Sequence, residues 1–301
     1  YSLIFGLITG NSNIVKVPSQ NFEQVTIICE SINEVLKKKK FKQLKKMINI
    51  IKYQNDDSKT KVFSSICDAR LIWGGDKSIN NIRRFPIKEK SIDLTFADRF
   101  SFCVMDSQKL LKLKKNEIET LVKKFYNDTY LVDQNACSSP HLVIWLGKNY
   151  NAAKEVFWKS LFKYASQKYI LPETASIEKY TQLCENILSL GNLKNYKSYK
   201  NLIYTVLLKN LDKNIHNLRG KWGFFYEYNT NDLNEIKKFL NKKYQTLTYF
   251  GLNKDLIKNF VSNGKLSGID RIVPVGQALD ISLVWDGYDL NKILSRVIEV
   301  R

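Results

Sequence analysis

Short β-branched and aliphatic runs alternate with longer amphipathic segments through the first 84 residues of this chain. The periods of the apolar positions predict strands at residues 12–17, 47–52 and 69–73, an opening helix that ends near residue 9, and helices at residues 20–36, 58–67 and 76–84. The helical segments are long enough to cross over between parallel strands. The sequence therefore predicts an α/β fold.

The rest of the chain continues this mixture and predicts a second domain. A strand-rich stretch spans residues 91–105, and a helix is predicted at residues 151–168. A chain of 301 residues can bury a sizeable core in two domains. Tyr1 begins inside what has the apolar pattern of a helix, so we expect that an element of a longer protein precedes it.

The chain is strongly basic, with 48 Lys and Arg against 29 Asp and Glu and a formal net charge of +19. Clustered basic residues bind nucleic acids because they neutralise phosphates. Here the lysines are scattered, apart from a dense cluster at residues 37–46, and no nucleic-acid-binding motif is recognisable. We expect no nucleic-acid partner and interpret the excess as a solvated surface that would favour anionic cofactors and acyl carriers.

Five cysteines occur without CxxC or another metal-ligand spacing. Their odd number and their spacing argue against a disulfide framework and against a structural zinc site, and they favour a reducing compartment. The sequence lacks an apolar run of membrane-spanning length, and its start lacks the basic region of a signal peptide. We expect a cytoplasmic protein without a membrane span or a bound metal.

Cys137 differs from the other cysteines in its surroundings. It lies among small polar residues in Asp-Gln-Asn-Ala-Cys-Ser-Ser-Pro-His, residues 133–141, between two hydrophobic runs, so it is predicted at a strand end or in a tight turn. Loops on a rigid scaffold often carry chemistry, which makes this thiol a candidate nucleophile, although many cysteines only pack. The cysteines that lie inside apolar runs are expected in the core: Cys29, Cys67, Cys103 and Cys184.

A glycine pair follows the predicted strand at residues 69–73. Gly74 and Gly75 stand between that strand and the helix predicted to begin at Asp76. Glycines at this place let a pyrophosphate approach a positive helix end closely. The pair does not form the GxGxxG fingerprint, and a double glycine is more often only a tight turn.

A second loop, residues 10–19, also has features that a dinucleotide would need. Lys16 lies at the end of a predicted strand, where it could bond ribose oxygens. Ser19 could accommodate a 2′-phosphate, which a carboxylate would repel. Lys16 is equally explained as one more surface lysine.

Three stretches in this order and spacing resemble landmarks of one family: Gly-Asn-Ser-Asn-Ile-Val-Lys-Val-Pro-Ser at 10–19, Leu-Ile-Trp-Gly-Gly-Asp-Lys-Ser-Ile at 71–79, and Asp-Gln-Asn-Ala-Cys-Ser-Ser-Pro at 133–140. The chain resembles the LuxC-like acyl-CoA reductases, a branch of the aldehyde dehydrogenase superfamily that includes the fatty-acid reductase of bacterial bioluminescence. Gly-Ile-Asp-Arg-Ile-Val-Pro-Val-Gly-Gln-Ala-Leu-Asp-Ile-Ser at 268–282 and Trp-Asp-Gly-Tyr at 285–288 also resemble this branch.

The resemblance implies an aldehyde-dehydrogenase-like α/β fold in two domains. Residues 1–106 would form part of a Rossmann-type NAD(P)-binding domain, and residues 107–301 an α/β catalytic domain. Cys137 would attack an acyl thioester, either a fatty acyl-CoA or an acyl-protein, and hold the acyl group as an enzyme thioester. Reduction by the nicotinamide cofactor would then release an aldehyde, and main-chain N–H groups at Cys137 could stabilise the oxyanion.

The resemblance also implies roles for the two loops of the first domain. Lys16 and Ser19 would hold the adenosine ribose, and Trp73, Gly74 and Gly75 would line the pyrophosphate. NAD-preferring relatives often carry glutamate in the place of Ser19, so NADPH is the expected cofactor, with NADH as the alternative.

Two departures from the wider superfamily bear on the chemistry. Hydrolytic aldehyde dehydrogenases carry a glutamate, the general base for water, near residues 94–99, where this chain has none. Its absence favours preservation of the thioester for reduction. Asp98 is a possible substitute base, although an ion pair with Arg99 is the more ordinary role. Gly220 stands near the place of a carboxylate that binds nicotinamide ribose, which puts that contact in doubt.

Two residues close to Cys137 have alternative interpretations. His141 could polarise the thiol or donate a proton, but a satisfied structural histidine is the commoner case. Asn135 could orient the cysteine loop, or it could be a turn residue that tolerates an unusual backbone angle.

Other functions remain open at this point. A CoA-acylating aldehyde dehydrogenase would run the reverse reaction with NAD, and a basic binding module would keep the scaffold without catalysis. The resemblance further suggests a homo-oligomer and permits a partner enzyme that loads the acyl group. The superfamily's oxyanion asparagine would lie upstream of residue 1, so we expect the chain to be an N-terminally truncated part of a longer enzyme.

Overall fold

The computed structural model describes residues 1–54, 56–262 and 266–301, which form two compact units. Tyr1–Asp98 and Ile281–Arg301 make up the first unit, and Arg99–Asp280 make up the second. The boundary predicted after residue 106 falls inside the second unit, because the strand Phe100–Asp106 is central to the sheet of that unit. The last residues of the chain return to the first unit instead of ending in the second.

Nine helices and strands open the described part of the first unit, and eight of them follow the alternation expected from the sequence. The short helix Lys42–Met47 was not predicted. The helices are α1 (Ser2–Ile8), α2 (Glu23–Leu36), α3 (Lys42–Met47), α4 (Asp57–Ile66) and α5 (Asp76–Arg83), with a 3₁₀ turn at Lys39–Phe41. The strands are β1 (Asn13–Val17), β2 (Ile48–Lys52), β3 (Ala69–Gly74) and β4 (Ile92–Ala97). β1 pairs with β2 and β3 pairs with β4, both in parallel, which confirms the predicted α/β fold.

The second unit is built on one seven-stranded sheet. Its strands are β5 (Phe100–Asp106), β6 (Pro140–Leu146), β7 (Leu193–Tyr199), β8 (Ile203–Leu208), β9 (Phe224–Thr230), β10 (Tyr244–Phe250) and β11 (Arg271–Pro274). The spatial order is β11-β10-β5-β6-β9-β8-β7. Only the pair β7–β8 among these is antiparallel, so the sheet is mainly parallel.

Helices cover the sheet of the second unit. They are α6 (Ser107–Leu111), α7 (Lys115–Thr129), α8 (Tyr150–Lys168), α9 (Glu173–Ser189) and α10 (Lys254–Ser262), with 3₁₀ turns at Tyr130–Val132, Ile215–Asn217 and Leu233–Lys238. The central strands β5 and β6 are buried along almost their whole length, as parallel strands covered on both faces should be. Successive β5 side chains enter opposite cores: Phe102 and Val104 join one cluster, and Cys103 and Met105 join the other.

The C-terminal segment completes the first unit. It contains β12 (Val284–Trp285) and β13 (Tyr288–Asp289), which form an antiparallel pair, and α11 (Leu290–Ile293). Trp285 and Leu290 pack with Phe5, Leu94 and Phe96 in a small apolar core. This packing explains why the segment belongs to the first unit. Within the described residues, every helix is too short or too polar to cross a bilayer.

The cysteines outside the 133–141 stretch are less buried than their apolar neighbours in the sequence suggested. Cys103, on β5, is fully buried, as expected. Cys29, Cys67 and Cys184 are only partly buried, so the expectation that they lie in the core was wrong. Cys29 belongs to a helix without a fully buried residue, and Cys67 follows the end of α4. Local apolar composition did not reveal how much of each helix the sheet covers.

Candidate active site

Cys137 lies in the loop that leads into β6, shortly before that strand begins at Pro140. The hydrophobic run that precedes the loop forms the end of α7 and the 3₁₀ turn Tyr130–Val132, and the run that follows forms β6. Cys137 is partly buried, whereas the adjacent Ser138 and Ser139 are fully buried. The loop therefore combines a partly exposed cysteine with neighbours that are fixed in the protein interior.

The loop backbone enters the left-handed region at two residues without glycine. Asp133 has φ of 52° and Gln134 has φ of 60°. Each such residue costs roughly 1–2 kcal/mol, so the surrounding contacts must hold the backbone there. The amide of Gln134 donates to the carbonyl of Thr129 at 2.7 Å, and the amide of Asn135 donates to that of Val132 at 2.8 Å.

Gln134 holds this loop against the turn that precedes β9. Its side chain is fully buried. Nε2 donates to the carbonyls of Pro140 at 3.0 Å and Phe224 at 3.1 Å, and Oε1 accepts from the amides of Gly223 at 3.1 Å and Phe224 at 3.2 Å. All four hydrogen-bonding positions of the amide group are thus used. The sequence analysis did not single out Gln134, although it lies within the quoted motif.

The main chain of Cys137 is fixed by a serine on β5. The hydroxyl of Ser101 donates to the carbonyl of Cys137 at 2.6 Å and accepts from the amide of Thr246 at 3.1 Å. On the other side of the cysteine, the hydroxyl of Ser139 donates to the carbonyl of Asp128 at 2.7 Å. Both serines are fully buried, so these bonds are shielded from competing water. The position of the thiol is therefore set by β5 and α7 as well as by its own loop.

His141 has the environment of a structural histidine. It is buried, its ring stacks on Phe100 with centroids 5.4 Å apart, and its Nδ1 is 3.0 Å from the carbonyl of Gly220. Burial, and then the positive charge of Arg219, lower the pKa of His141 to about 3. The imidazole is neutral at neutral pH and donates to Gly220, which favours the structural interpretation over a proton donor.

Asn135 is exposed on the loop. The two residues before it, Asp133 and Gln134, adopt the left-handed conformation, and Asn135 itself does not. The turn is made by residues whose side chains are tied down: the hydroxyl of Tyr169 donates to the carboxylate of Asp133 at 2.5 Å. Whether Asn135 orients the loop stays a prediction.

Gly220 occupies a place where a side chain does not fit. A Cβ atom there would come within 1.8 Å of the carbonyl oxygen of Phe224. The close approach of the backbone explains the glycine and makes a carboxylate at this position impossible without movement of β9.

The residues expected to hold a dinucleotide ribose lie at the carboxyl end of β1. Lys16 and Ser19 are both exposed, and the Lys16 ammonium is 5.0 Å from the ring centroid of Tyr53. β1 and β2 are parallel, and Val17 at the end of β1 pairs with Lys52 at the end of β2. Lys16 and Lys52 therefore lie near the same edge of this sheet. A groove of about 370 Å³ adjoins this edge and is lined by Pro18, Lys52 and one face of α2.

The glycine pair lies at the carboxyl end of β3 and at the start of α5. Gly75 is the N-cap residue of α5 and makes no side-chain cap, and a Cβ atom on it would meet open space. The first amides of α5 can therefore donate hydrogen bonds to a ligand that comes close to the backbone. The carboxylate of Asp76 in the first turn opposes a phosphate at this place. Trp73 stacks on Phe96 with centroids 4.2 Å apart and remains partly exposed.

Lys16, Ser19 and Gly75 have the chemistry to contact a nicotinamide dinucleotide, whereas the carboxylate of Asp76 opposes its phosphates. Lys16 and Ser19 offer a cation and a hydroxyl to ribose or phosphate oxygens, and Gly75 offers an uncapped helix start. The structure groups Cys137, Asn135 and His141 around one loop of the second unit. The proposed cofactor residues of the first unit lie at the ends of β1 and β3, which belong to two separate sheets.

The fold defines a class of protein. The structure is similar to Staphylococcus aureus AldH, with a TM-score of 0.57 and 11% identity over 89% of this chain and 58% of that chain. It is also similar to a NAD-dependent benzaldehyde dehydrogenase from Corynebacterium glutamicum, with a TM-score of 0.58 and 10% identity over 89% of this chain and 58% of that chain. The fold is that of the aldehyde dehydrogenases, and the chain spans a little over half the length of these relatives.

The sequence identifies the family more narrowly. A family model described as acyl-CoA reductase (LuxC) matches residues 1–296. The chain belongs to the LuxC acyl-CoA reductase family, as its three motifs predicted. No curated protein matches the sequence significantly.

Proposed function

We propose that this chain reduces an acyl-CoA thioester to an aldehyde, with Cys137 as the nucleophile that carries the acyl group and NADPH as the reductant. The observation that carries the proposal is the position of Cys137. In a member of the LuxC family, the thiol lies on a loop that Gln134 and Ser101 hold through buried hydrogen bonds. A loop fixed in this way can hold a nucleophile ready for attack.

The chemistry begins with the thiolate of Cys137 attacking the thioester carbonyl. The carbon–sulfur bond to CoA breaks, the CoA thiolate leaves, and the acyl group remains on Cys137 as a thioester. Sulfur suits both steps because a thiolate is a strong nucleophile and also a good leaving group. A nicotinamide cofactor, when bound, would supply a hydride to this carbonyl. The thiohemiacetal anion on Cys137 would then break its carbon–sulfur bond, which releases the aldehyde and restores the Cys137 thiolate.

Two carboxylates lie near the place of the expected general base. Asp98, the possible substitute base, is exposed, whereas Asp93 is held by two arginines. Asp93, the acidic residue of β4, receives hydrogen bonds from Arg70 at 3.0 Å and from Arg83 at 2.9 Å. Burial raises the pKa of Asp93, but the bonds from the two arginines outweigh it and lower the pKa below its ordinary value. Such a carboxylate is a poor base for activating water, so Asp93 does not take the place of the missing glutamate.

NADPH is favoured by the residues at the end of β1. Ser19 offers a hydroxyl, and Lys16 and Lys52 add positive charge at the same edge. A 2′-phosphate gains from such cations, and the carboxylate that would repel it is missing at residue 19. The volume of the adjacent groove, about 370 Å³, lies within the range of small-molecule pockets.

The test is intact mass spectrometry of the protein after brief exposure to acyl-CoAs of increasing chain length, followed by NADPH or NADH. We expect an adduct of acyl mass on the wild type that disappears with aldehyde release on addition of NADPH. Cys137→Ser should form no adduct. Cys184→Ser is the matched control, because Cys184 is also partly buried and lies in the same unit. An adduct that persists in Cys137→Ser, or hydrolysis in place of reduction, would contradict the proposal.

A further inference from the structure

Lys179 on α9 is a fully buried lysine whose ammonium group donates hydrogen bonds to three main-chain carbonyls. The side chain is 1% exposed. Its Nζ donates to the carbonyls of Asn201 at 2.6 Å, Leu202 at 3.1 Å and Trp222 at 2.7 Å, and lies 4.9 Å from the ring centroid of Tyr204. The three donors of the ammonium group are therefore all used.

An apolar side chain of similar length would fill the same space without the free-energy cost of burying a charge. Transfer of an ammonium group out of water is unfavourable unless strong partners compensate it, and carbonyl dipoles compensate less than a carboxylate does. Burial lowers the pKa of Lys179 to about 7, which reflects that cost. Packing alone does not account for a lysine here, so the carbonyls that it holds are the informative feature.

The carbonyl of Trp222 belongs to a turn that needs support. Trp222 has φ of 52°, a left-handed conformation that is unfavourable for a bulky residue. Both of its main-chain polar groups are held, because its amide donates to the carbonyl of Asp133 at 3.1 Å while its carbonyl accepts from Lys179. The next residue is Gly223, where a Cβ atom would come within 2.3 Å of the carbonyl oxygen of Leu202. The hydrogen bond from Lys179 to the carbonyl of Trp222 therefore helps to hold this strained turn in place.

The other side of the same turn faces the nucleophile loop. The amides of Gly223 and Phe224 donate to Gln134, as described above, and Trp222 donates to Asp133. Asp133 and Gln134 are the left-handed residues that lead to Cys137. A continuous series of hydrogen bonds therefore runs from the Lys179 ammonium through the turn to the loop that carries the thiol.

We propose that Lys179 is a positioning residue for Cys137, which it orients through the turn of residues 220–224 without touching substrate or cofactor. This inference rests on the proposed function where it concerns acyl transfer. Its structural part, that Lys179 holds the turn and thereby the loop, can be tested separately.

The test compares Lys179→Met with Lys154→Met. Lys154 is a matched control because it is also a buried lysine of the second unit, but its Nζ lies 3.6 Å from the carboxylate of Glu227. Hydrogen exchange followed by mass spectrometry reports on the turn and the loop. Acyl loading onto Cys137, NADPH binding and the unfolding midpoint are measured on the same preparations.

We expect Lys179→Met to speed amide exchange at residues 222–224 and 133–136 by about tenfold or more, because local opening no longer requires these bonds to break together. Acyl loading should slow by about tenfold or more, in line with the sensitivity of catalysis to small displacements. The dissociation constant for NADPH should not change, and Lys154→Met should alter neither the exchange nor the loading. A general loss of stability would be expected to weaken NADPH binding as well, so slower acyl loading with unchanged NADPH binding indicates a local effect on the loop.

Unchanged exchange at the turn in Lys179→Met would overturn the proposal, and so would faster exchange with unchanged acyl loading. If the wild type takes up no acyl group, the proposed function fails, and the exchange measurement still decides whether Lys179 holds the loop. If Lys179→Met does not fold, Lys179→Gln, which keeps an amide donor, is measured in the same way. The Gln134→Leu variant already lacks the side-chain hydrogen bonds between the turn and the loop. Lys179→Met should therefore slow acyl loading less in this variant than in the wild type.

Discussion

Gln134 and Phe224 bond to each other in both directions, although they are 90 residues apart in the chain. The side-chain amide of Gln134 donates to the carbonyl of Phe224 and accepts from its amide, so it acts as a strand partner for the start of β9. This contact joins the loop of Cys137 to a strand of the central sheet. The nucleophile loop is consequently part of the rigid framework of the second unit.

Replacement of Gln134 by leucine should loosen the nucleophile loop. The change removes the bonds of Gln134 to four buried main-chain groups, of which the Phe224 amide keeps a bond to the carbonyl of Lys221 at 3.1 Å. Each group left uncompensated costs about 1–3 kcal/mol, although these costs are not additive. We expect the free energy of unfolding to fall by about 3 kcal/mol or more, measured by urea denaturation. Acyl loading should slow by at least about tenfold.

Gln182→Leu provides the control for this substitution. Gln182 is a partly buried glutamine of the same unit, and its Nε2 donates to the carbonyl of Arg219 at 2.6 Å. Its replacement should lower stability less and leave acyl loading nearly unchanged. Equal effects of the two substitutions on loading would show that Gln134 has no special connection to the nucleophile.

The pKa of His141 predicts how stability responds to acid. Burial lowers the pKa in the folded protein to about 3, compared with 6.5 for the free side chain. The unfolded chain therefore binds a proton between these values and the folded chain does not, so this contribution is present above pH 6.5 and is lost as the pH falls toward 3. In His141→Gln, the free energy of unfolding should depend less steeply on pH between about pH 3 and pH 6.5. A slope equal to that of the wild type would contradict the buried neutral imidazole.

Asp128 predicts a contribution of the opposite sign. Burial raises its pKa from 3.8 to about 6, although its carboxylate accepts hydrogen bonds from the amides of Gly276 at 2.6 Å and Ala278 at 2.9 Å. The folded state holds the proton more tightly than the unfolded state, so the contribution is present below pH 3.8 and is lost as the pH rises through about 6.

Asp128→Asn removes this titration. Urea denaturation at several pH values should show a weaker loss of stability between pH 3.8 and about 6 than in the wild type, while stability at neutral pH falls because an amide oxygen cannot serve both donors equally well. An unchanged pH dependence would mean that the Asp128 carboxylate does not titrate in this range.

Much of the fold followed from the sequence because its signals are local. The strands β1, β2 and β3 and the helices α2 and α4 each carry their own apolar period, and the structure places them within a few residues of the predicted bounds. The short helix α3 was not predicted. The return of residues 281–301 to the first unit was not predicted, because Trp285 and Leu290 find their partners near the opposite end of the chain.

The candidate site followed from the sequence only in part. The small polar residues around Cys137 indicated a loop, but the residues that hold it gave no local signal. Gln134 resembles any polar loop residue until its partner at Phe224 is known. Lys179 is one of many lysines in a strongly basic chain, and only the fold buries it. Long-range hydrogen bonds of this kind depend on tertiary structure and have no counterpart in periodicity or composition.

The proposed preference for NADPH makes a prediction about Ser19. If the 2′-phosphate lies beside this exposed hydroxyl, a glutamate at residue 19 places two like charges close together, while NADH meets only a ribose hydroxyl. Ser19→Glu should therefore weaken NADPH binding by about tenfold or more and leave NADH binding unchanged or tighter, as measured by fluorescence titration or KM. Ser166→Glu, at an exposed serine of α8 in the other unit, matches the change in net charge and should affect neither cofactor. Equal weakening of both cofactors by Ser19→Glu would place the 2′-phosphate away from the end of β1 and would remove the reason to prefer NADPH.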